Sequence, residues 1–256
     1  MTILEEELTR AIEWKNELDT ATKVRGPEDQ KKLHKRYKSL IKKQDSLFRI
    51  GLYLLLNLAE SADVQYKMRA KGIITILIRI IRTRQSPPVL LLAASFLQKM
   101  SVFLENKNEM KKHKLPFALL EIITNPQRST PDLINLCLRL LLNLSFDSDL
   151  RVQMTESHLV PPVAKIASVV EDSPQRQVGR CLLYQLSREE RARSLLSYTG
   201  LTYTQDNFII LKLLLDAFPI LVSQALNCKG DIPIELNALL INTALSRPNA
   251  ELLGTE

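Results

Sequence analysis

Apolar and polar positions along this chain recur as a phrase. Residues 54–58 read Leu-Leu-Leu-Asn-Leu, and the same five residues return at 140–144. Ser95-Phe96-Leu97-Gln98-Lys99-Met100-Ser101 stands between them, and Cys181-Leu182-Leu183-Tyr184-Gln185-Leu186-Ser187 follows. With Asn57, Lys99, Asn143 and Gln185 taken as equivalent, the intervals are 42, 44 and 42 residues. Leucines dominate at three- and four-residue spacing, and strict alternation of β-branched residues is missing, so the elements predicted are helices.

Leucine-rich helical text with a period in this range is the signature of armadillo or HEAT-type repeats. The pattern predicts an all-α fold, an armadillo-type right-handed helical solenoid preceded by a long N-terminal helix. Residues 3–20 read as a short amphipathic helix, and Gly26-Pro27 breaks it. From Pro27 to about Glu60 only Gly51 interrupts, so one long helix is expected, with Leu33, Tyr37, Leu40, Ile41, Leu47 and Ile50 on one stripe. Each later unit reads as a short first helix, a second helix and a longer third one. The first helices are expected at 63–71, 106–114 and 147–155; the second at 72–82, 116–123 and up to about Val170; the third at 87–102, 132–146 and from Pro174 to Ser187.

Four segments follow from this reading. Residues 1–26 form an acidic N-terminal helix and linker, and 27–60 a long basic helix leading into the first repeat. Residues 61–196 hold about three repeats, and 197–256 a divergent repeat with an insertion near Tyr198–Asn207. Leu245-Ser246 is expected to close that last unit. A cut solenoid exposes an apolar end, so self-association is expected unless residues 1–30 cover one end.

Composition narrows the function class. Seven glycines in 256 residues argue against glycine-rich phosphate loops. The three cysteines, Cys137, Cys181 and Cys228, lie far apart, and the start Met1-Thr2-Ile3-Leu4-Glu5 is not that of a signal peptide, so a reducing intracellular compartment is expected. No apolar run reaches the roughly 20 residues of a membrane span. Net charge is +7, placed unevenly: −4 over residues 1–22, +7 over 23–49 and +4 over the remainder. The basic block supplies a candidate surface of Lys31, Lys32, Lys35, Arg36, Lys38, Lys42 and Lys43, suited to an acidic partner or a polyanion.

The candidate binding residues come from the repeat itself. The position after the leucines is polar in every unit (Asn57, Lys99, Asn143, Gln185), and one turn earlier stand Tyr53, Ser95, Arg139 and Cys181. Amides on such a face can donate to and accept from a partner backbone, and they can equally bridge adjacent helices. Catalytic arrangements are absent from the sequence. His34, His113 and His158 have no partner at metal-ligand spacing, and there is no phosphate loop, dinucleotide fingerprint or nucleophile elbow. No enzyme, cofactor, metal or small-molecule substrate is expected. Nucleic acid is disfavoured because aromatic residues are 5% and not interleaved with the charge.

Three stretches carry a more specific resemblance: Leu52–Glu60 with Lys67-Met68-Arg69, Ser95-Phe96-Leu97 through Phe103-Leu104-Glu105-Asn106-Lys107-Asn108-Glu109-Met110, and Leu138–Asp147 with Leu150-Arg151 and Met154. Cys181-Leu182-Leu183-Tyr184 before Tyr198-Thr199, and Arg36-Tyr37 with Lys42-Lys43-Gln44 upstream, extend it. This text resembles the kinesin-associated protein family, the non-motor armadillo subunit of the heterotrimeric kinesin of intraflagellar transport. The family is normally longer, so the chain is expected to be a fragment or a reduced form. The insertion after Ser197 and Pro161-Pro162 depart from its pattern. The resemblance implies a non-catalytic adaptor that binds the tail or stalk of a kinesin motor heterodimer and links it to cargo or cargo adaptors. It implies a cytoplasmic, cytoskeletal location in a cilium or flagellum. The alternative is a generic armadillo peptide-binding scaffold in another pathway; import receptors of that kind carry repeated tryptophans, whereas Trp14 is the one tryptophan here and lies outside the repeats.

Overall fold

The computed structural model describes residues 2–22, 27–169, 173–196 and 217–254, and every regular element among them is an α-helix. The chain divides into two compact units, residues 1–113 and 114–256. The first contains α1 (Thr2–Thr22), α2 (Pro27–Leu58), α3 (Ala62–Ala70), α4 (Ile73–Thr83), α5 (Pro87–Met100) and α6 (Leu104–Lys112). The second contains α7 (Leu115–Thr124), α8 (Pro131–Leu144), α9 (Ser148–Glu156), α10 (Val160–Ala167), α11 (Pro174–Leu186), α12 (Glu190–Leu196), α13 (Ala217–Leu226), α14 (Ile234–Thr243) and α15 (Arg247–Leu253). This is the all-α, armadillo-type solenoid fold. The insertion expected near Tyr198–Asn207 lies outside the described residues.

Local chemistry punctuates the repeats at matching places. Three third helices, α5, α8 and α11, open on a hydroxyl residue followed by proline: Ser86-Pro87, Thr130-Pro131 and Ser173-Pro174. Proline suits a first helical position because its missing N–H would have no partner there. Thr130 and Ser173 accept from the backbone N–H three residues on. The turns from α3 into α4, α6 into α7 and α9 into α10 each use a left-handed residue: Gly72 (φ 72°), Lys114 (φ 49°) and His158 (φ 60°). Only the glycine adopts that conformation without steric cost.

Third helices end without glycine. Ser101, Ser145 and Ser187, fully buried, close α5, α8 and α11, and each hydroxyl donates to the carbonyl three residues back at 2.7 Å. A side chain from the following helix then reaches back to the carbonyl six residues earlier. Gln65 binds the Ala59 carbonyl, Asn106 that of Met100, Arg151 that of Ser145, Arg193 that of Ser187, and Asn249 that of Thr243. The distances are 2.8, 2.8, 3.0, 2.9 and 3.1 Å. These bonds satisfy C-terminal carbonyls that no intrahelical N–H can reach. They also correct one expectation. Ala244, not Leu245-Ser246, closes α14, because Asn249 anchors there as its counterparts do in the earlier units.

In the first unit α1 packs on α2 and α4, burying Leu4, Leu8 and Leu18. α2 runs through Gly51 without a break, and a Cβ there would stand 3.3 Å from the Leu4 side chain. Phe48 and Leu52 are fully buried on α2, and so is most of α4, whose Ile73, Ile74, Ile76, Leu77, Ile78, Ile80 and Ile81 fill the core. The stripe expected on α2 holds only in part. Leu33, Tyr37 and Leu40 line a recess with Trp14 and Leu18 of α1, whereas Leu47 and Ile50 are 40% and 62% exposed. Polar Gln44 takes the inward position instead, because it has work for every atom. Its amide nitrogen donates to the Glu7 carbonyl (2.8 Å) and carboxylate (2.7 Å), and its oxygen accepts from buried Arg84 (2.9 Å). Arg84 stacks on the Phe48 ring at 4.5 Å and lies 3.6 Å from Asp45.

The second unit builds on the same side-by-side contacts. α11 packs against α8, α9, α10 and α14, and α14 also touches α12 and α13. Gln224 of α13 donates to the Ser168 carbonyl at 3.0 Å and accepts from buried Arg180, which ties α13 to the end of α10 and the middle of α11.

Two outcomes test this account. Asn106→Ala leaves the buried Met100 carbonyl without its partner and is expected to cost about 1–3 kcal/mol. Exposed Asn108→Ala is expected to stay within about 0.5 kcal/mol of the parent. Urea unfolding compares the two, and equal midpoints would remove the anchor from the argument. The second concerns Asp45, whose carboxyl is pushed up by burial, with Arg84 pulling the other way. A raised carboxyl pKa disfavours the ionised form in the fold. Asp45→Asn is therefore expected to raise stability at neutral pH, and the gain should vanish below the ordinary carboxylate range. Thermal unfolding across pH reads both.

Candidate partner-binding faces

The eight positions taken from the repeat fall on third helices, with α2 serving as the third helix before the first triplet. In the first unit, Tyr53 and Asn57 lie on α2 and Ser95 and Lys99 on α5, and the two helices pack against each other. Tyr53 and Asn57 are exposed, while Ser95 and Lys99 are half-buried. Lys99 donates to the Leu56 carbonyl in the last turn of α2 at 3.4 Å, so it ties one third helix to the end of the previous one. In the second unit, Arg139 and Asn143 lie on α8 and Cys181 and Gln185 on α11, and these two helices also pack against each other. Arg139 is exposed and the other three are half-buried. Gln185 accepts from Arg188 at 3.4 Å.

A fifth member of this series escaped the sequence reading. Asn242, in Leu239-Leu240-Ile241-Asn242, occupies the same position on α14 and donates to the Ser187 hydroxyl at 3.1 Å. The phrase itself was the available signal. The long interval before it hid the register. Lys99 and Asn242 thus bridge neighbouring third helices, while Tyr53, Asn57 and Arg139 keep exposed side chains on the same elements.

A recess of about 680 Å³ lies between α2 and α5 in the first unit. Arg49, Ile50, Tyr53 and Leu54 line it from α2, and Pro88, Leu91 and Leu92 from α5. Its walls are nearly all hydrocarbon, and Ile50, Tyr53 and Leu54 are each more than half exposed. Of this group, the sequence pattern puts Ile50 on the apolar stripe of α2 and singles out Tyr53 from the repeat. Other recesses differ in chemistry. One of about 330 Å³ between α3 and α6 holds Tyr66 with Arg69 stacked 5.1 Å above it and Glu105 at 3.7 Å from that arginine. Another, of about 520 Å³ between α9 and α12, carries Glu156, Glu189 and Glu190.

The basic candidates Lys31, Lys32, Lys35, Arg36, Lys38, Lys42 and Lys43 all lie exposed on α2. Arg36 differs from the rest, since it borders the recess with Trp14 and Glu17 of α1. Among the described residues no group of three or more His, Cys, Asp or Glu side chains could hold a metal ion. No helix among them is long and apolar enough to cross a membrane. Burial pushes the Cys137 thiol up to about 12, and it raises Cys181, beside Glu235, in the same direction. A thiol held protonated is a poor nucleophile. At about pH 8, near the ordinary thiol range, Cys137 is expected to resist Ellman's reagent until the chain is denatured. Rapid labelling of all three thiols in the folded protein would contradict the burial of α8.

A model of the Kinesin-associated protein (KAP) family matches residues 1–255 of this chain. Among solved structures, a designed armadillo repeat protein has a similar backbone, with a TM-score of 0.59 at 12% identity over 84% of this chain and 82% of that one. Two engineered proteins are also similar. One has a TM-score of 0.57 at 15% identity, covering 79% of this chain and 74% of its own. The other has 0.54 at 16% identity, covering 80% and 93%. At these identities the likeness is one of fold.

Proposed function

The chain belongs to the kinesin-associated protein family, and on that premise we propose that it is a non-catalytic adaptor for a kinesin motor. It binds the tail or stalk region of a heterodimeric kinesin and links it to cargo or cargo adaptors in microtubule-based, intraflagellar transport. It works in the cytoplasm, on the cytoskeleton of a cilium or flagellum. The observation that carries this reading is the family match along residues 1–255. The fold supports it physically. Stacked third helices present long faces to a partner, and a helix or extended tail can lie along such a face. Tyr53, Asn57 and Arg139, exposed on those faces, are the docking residues we propose, with Ser95, Lys99, Asn143, Cys181 and Gln185 around them.

The test is binding of this chain to the purified tail of a heterodimeric kinesin, measured calorimetrically, beside two double variants. Tyr53→Ala/Asn57→Ala replaces exposed side chains and Arg139→Ala/Asn143→Ala an exposed and a half-buried one, and circular dichroism checks that both variants fold. Loss of about tenfold or more in affinity in at least one of them is the expected result, since interface anchors contribute roughly 1–3 kcal/mol each. No binding of the tail by the parent chain would leave an armadillo scaffold serving another partner. Binding unchanged in both variants would move the dock off the third helices.

A further inference from the structure

We propose that the outer face of α2, together with its groove against α5, is a docking site for an acidic amphipathic helix. The two sides of α2 differ. Gln44, Phe48 and Leu52 are buried, and Leu33, Tyr37 and Leu40 turn toward α1. On the opposite side, Ile50, Tyr53 and Leu54 are 62%, 58% and 56% exposed and form one wall of the 680 Å³ recess; Leu91 and Leu92 of α5 form the other. Exposed contiguous apolar surface of this kind on a folded chain marks an interaction site.

Charge selects the occupant. At 3.6 residues per turn, Lys35, Lys42, Lys43 and Arg49 fall within roughly 70° of the line through Ile50 and Tyr53, on the side away from the core. All four are exposed, and none forms an ion pair among the described residues. Arg49 lines the groove itself. Basic side chains therefore lead directly along one helix face into an apolar recess, over about 28 Å from Lys35 to Leu54 at 1.5 Å per residue. The complement is a segment with an apolar stripe and carboxylates beside it.

Spacing selects the conformation. Lys42/Lys43, Ser46, Arg49/Ile50 and Tyr53/Leu54 come round once per turn, about every 5.4 Å. A partner helix presents side chains at i, i+3, i+4 and i+7 with that same repeat. One face of an extended strand repeats at nearly 7 Å, twice its rise of about 3.4 Å per residue, and falls out of step within two positions. A polyanion alone would leave the recess empty, and a bilayer surface offers no side chain to fill it. This site deepens the adaptor reading and rests on it only for the identity of the natural partner.

The test uses a synthetic peptide of about 20 residues, long enough for a marginal helix, with leucine on the i, i+3, i+4, i+7 stripe and glutamate elsewhere. Its control carries lysine in place of glutamate. Fluorescence anisotropy with the full chain is expected to show binding of the Leu/Glu peptide, weakened by salt, and none of the Leu/Lys peptide. Ile50→Asp/Leu92→Asp and Lys42→Glu/Lys43→Glu are each expected to weaken it by about tenfold or more. Circular dichroism checks that both variants fold, and Tyr53→Asp, which leaves half-buried Leu92 in place, replaces the first if it does not. Equal binding of the two peptides would overturn the proposal. So would binding unaffected by every variant, or capture of duplex DNA or phosphatidylserine vesicles by the α2 lysines without capture of the Leu/Glu peptide. The same variants, tried against the heterodimeric kinesin tail, separate the two claims. A tail that binds all of them equally removes this site and leaves the adaptor reading standing. A tail that fails to bind while the Leu/Glu peptide binds normally removes the motor and leaves the site.

Discussion

A stacked helix must end somewhere, and its last carbonyls must find donors without water. That constraint shapes this chain more than any other. No glycine stands at the end of α5, α8, α11 or α14, so none of them closes on a left-handed glycine. The chain uses a buried serine at Ser101, Ser145 and Ser187 and then a side chain sent back from the next helix: Gln65, Asn106, Arg151, Arg193 or Asn249. The bond does two things at once. It satisfies an orphan carbonyl, and it fixes where the next first helix must start. Arg151 also pairs with Glu189 at 2.8 Å, and Arg69 with Glu105 at 3.7 Å, so successive first helices are linked along their own row. With both ends of each third helix held, its remaining face is left to a partner.

The first unit adds a second solution, at its N-terminal end. A solenoid whose last helix pair is uncovered exposes core. Here α1 lies over α2 and α4 and buries Leu4, Leu8 and Leu18. Gln44 holds it through Glu7, and Arg84, stacked on Phe48, holds Gln44. The acidic helix is thus kept on one side of α2, and the lysines of α2 remain on the other. That separation of charge, legible as −4 followed by +7 in the sequence, becomes a sided surface in the fold.

Much of this was readable beforehand, for reasons that are local. Leucine spacing marks helices, and the recurring Leu-Asn-Leu phrase marks third helices, so α5, α8 and α11 fell within a few residues of their expected bounds. What failed was non-local. Leu47 and Ile50 carry the right spacing for a core stripe, but the inward direction on α2 is set by α1 and Arg84, which select polar Gln44. Asn242 belongs to the ladder, but a longer interval concealed it. Ala244 closes α14 without the serine that flagged its counterparts, and only the Asn249 anchor reveals the register. The groove between α2 and α5 was half visible: Tyr53 came from the repeat, whereas Ile50, Leu54, Leu91 and Leu92 became a wall only once two helices lay side by side.

Hydrogen exchange measured on the full chain, with and without the tail of a heterodimeric kinesin, would test the central claim most directly. The method reads which backbone segments a partner shields. Docking on the third-helix face predicts slowed exchange in the second half of α2, around residues 46–54, and at the start of α5, around 88–92, with α3 and α9 unchanged. Slowing confined to the first helices, or spread evenly over both units, would contradict it.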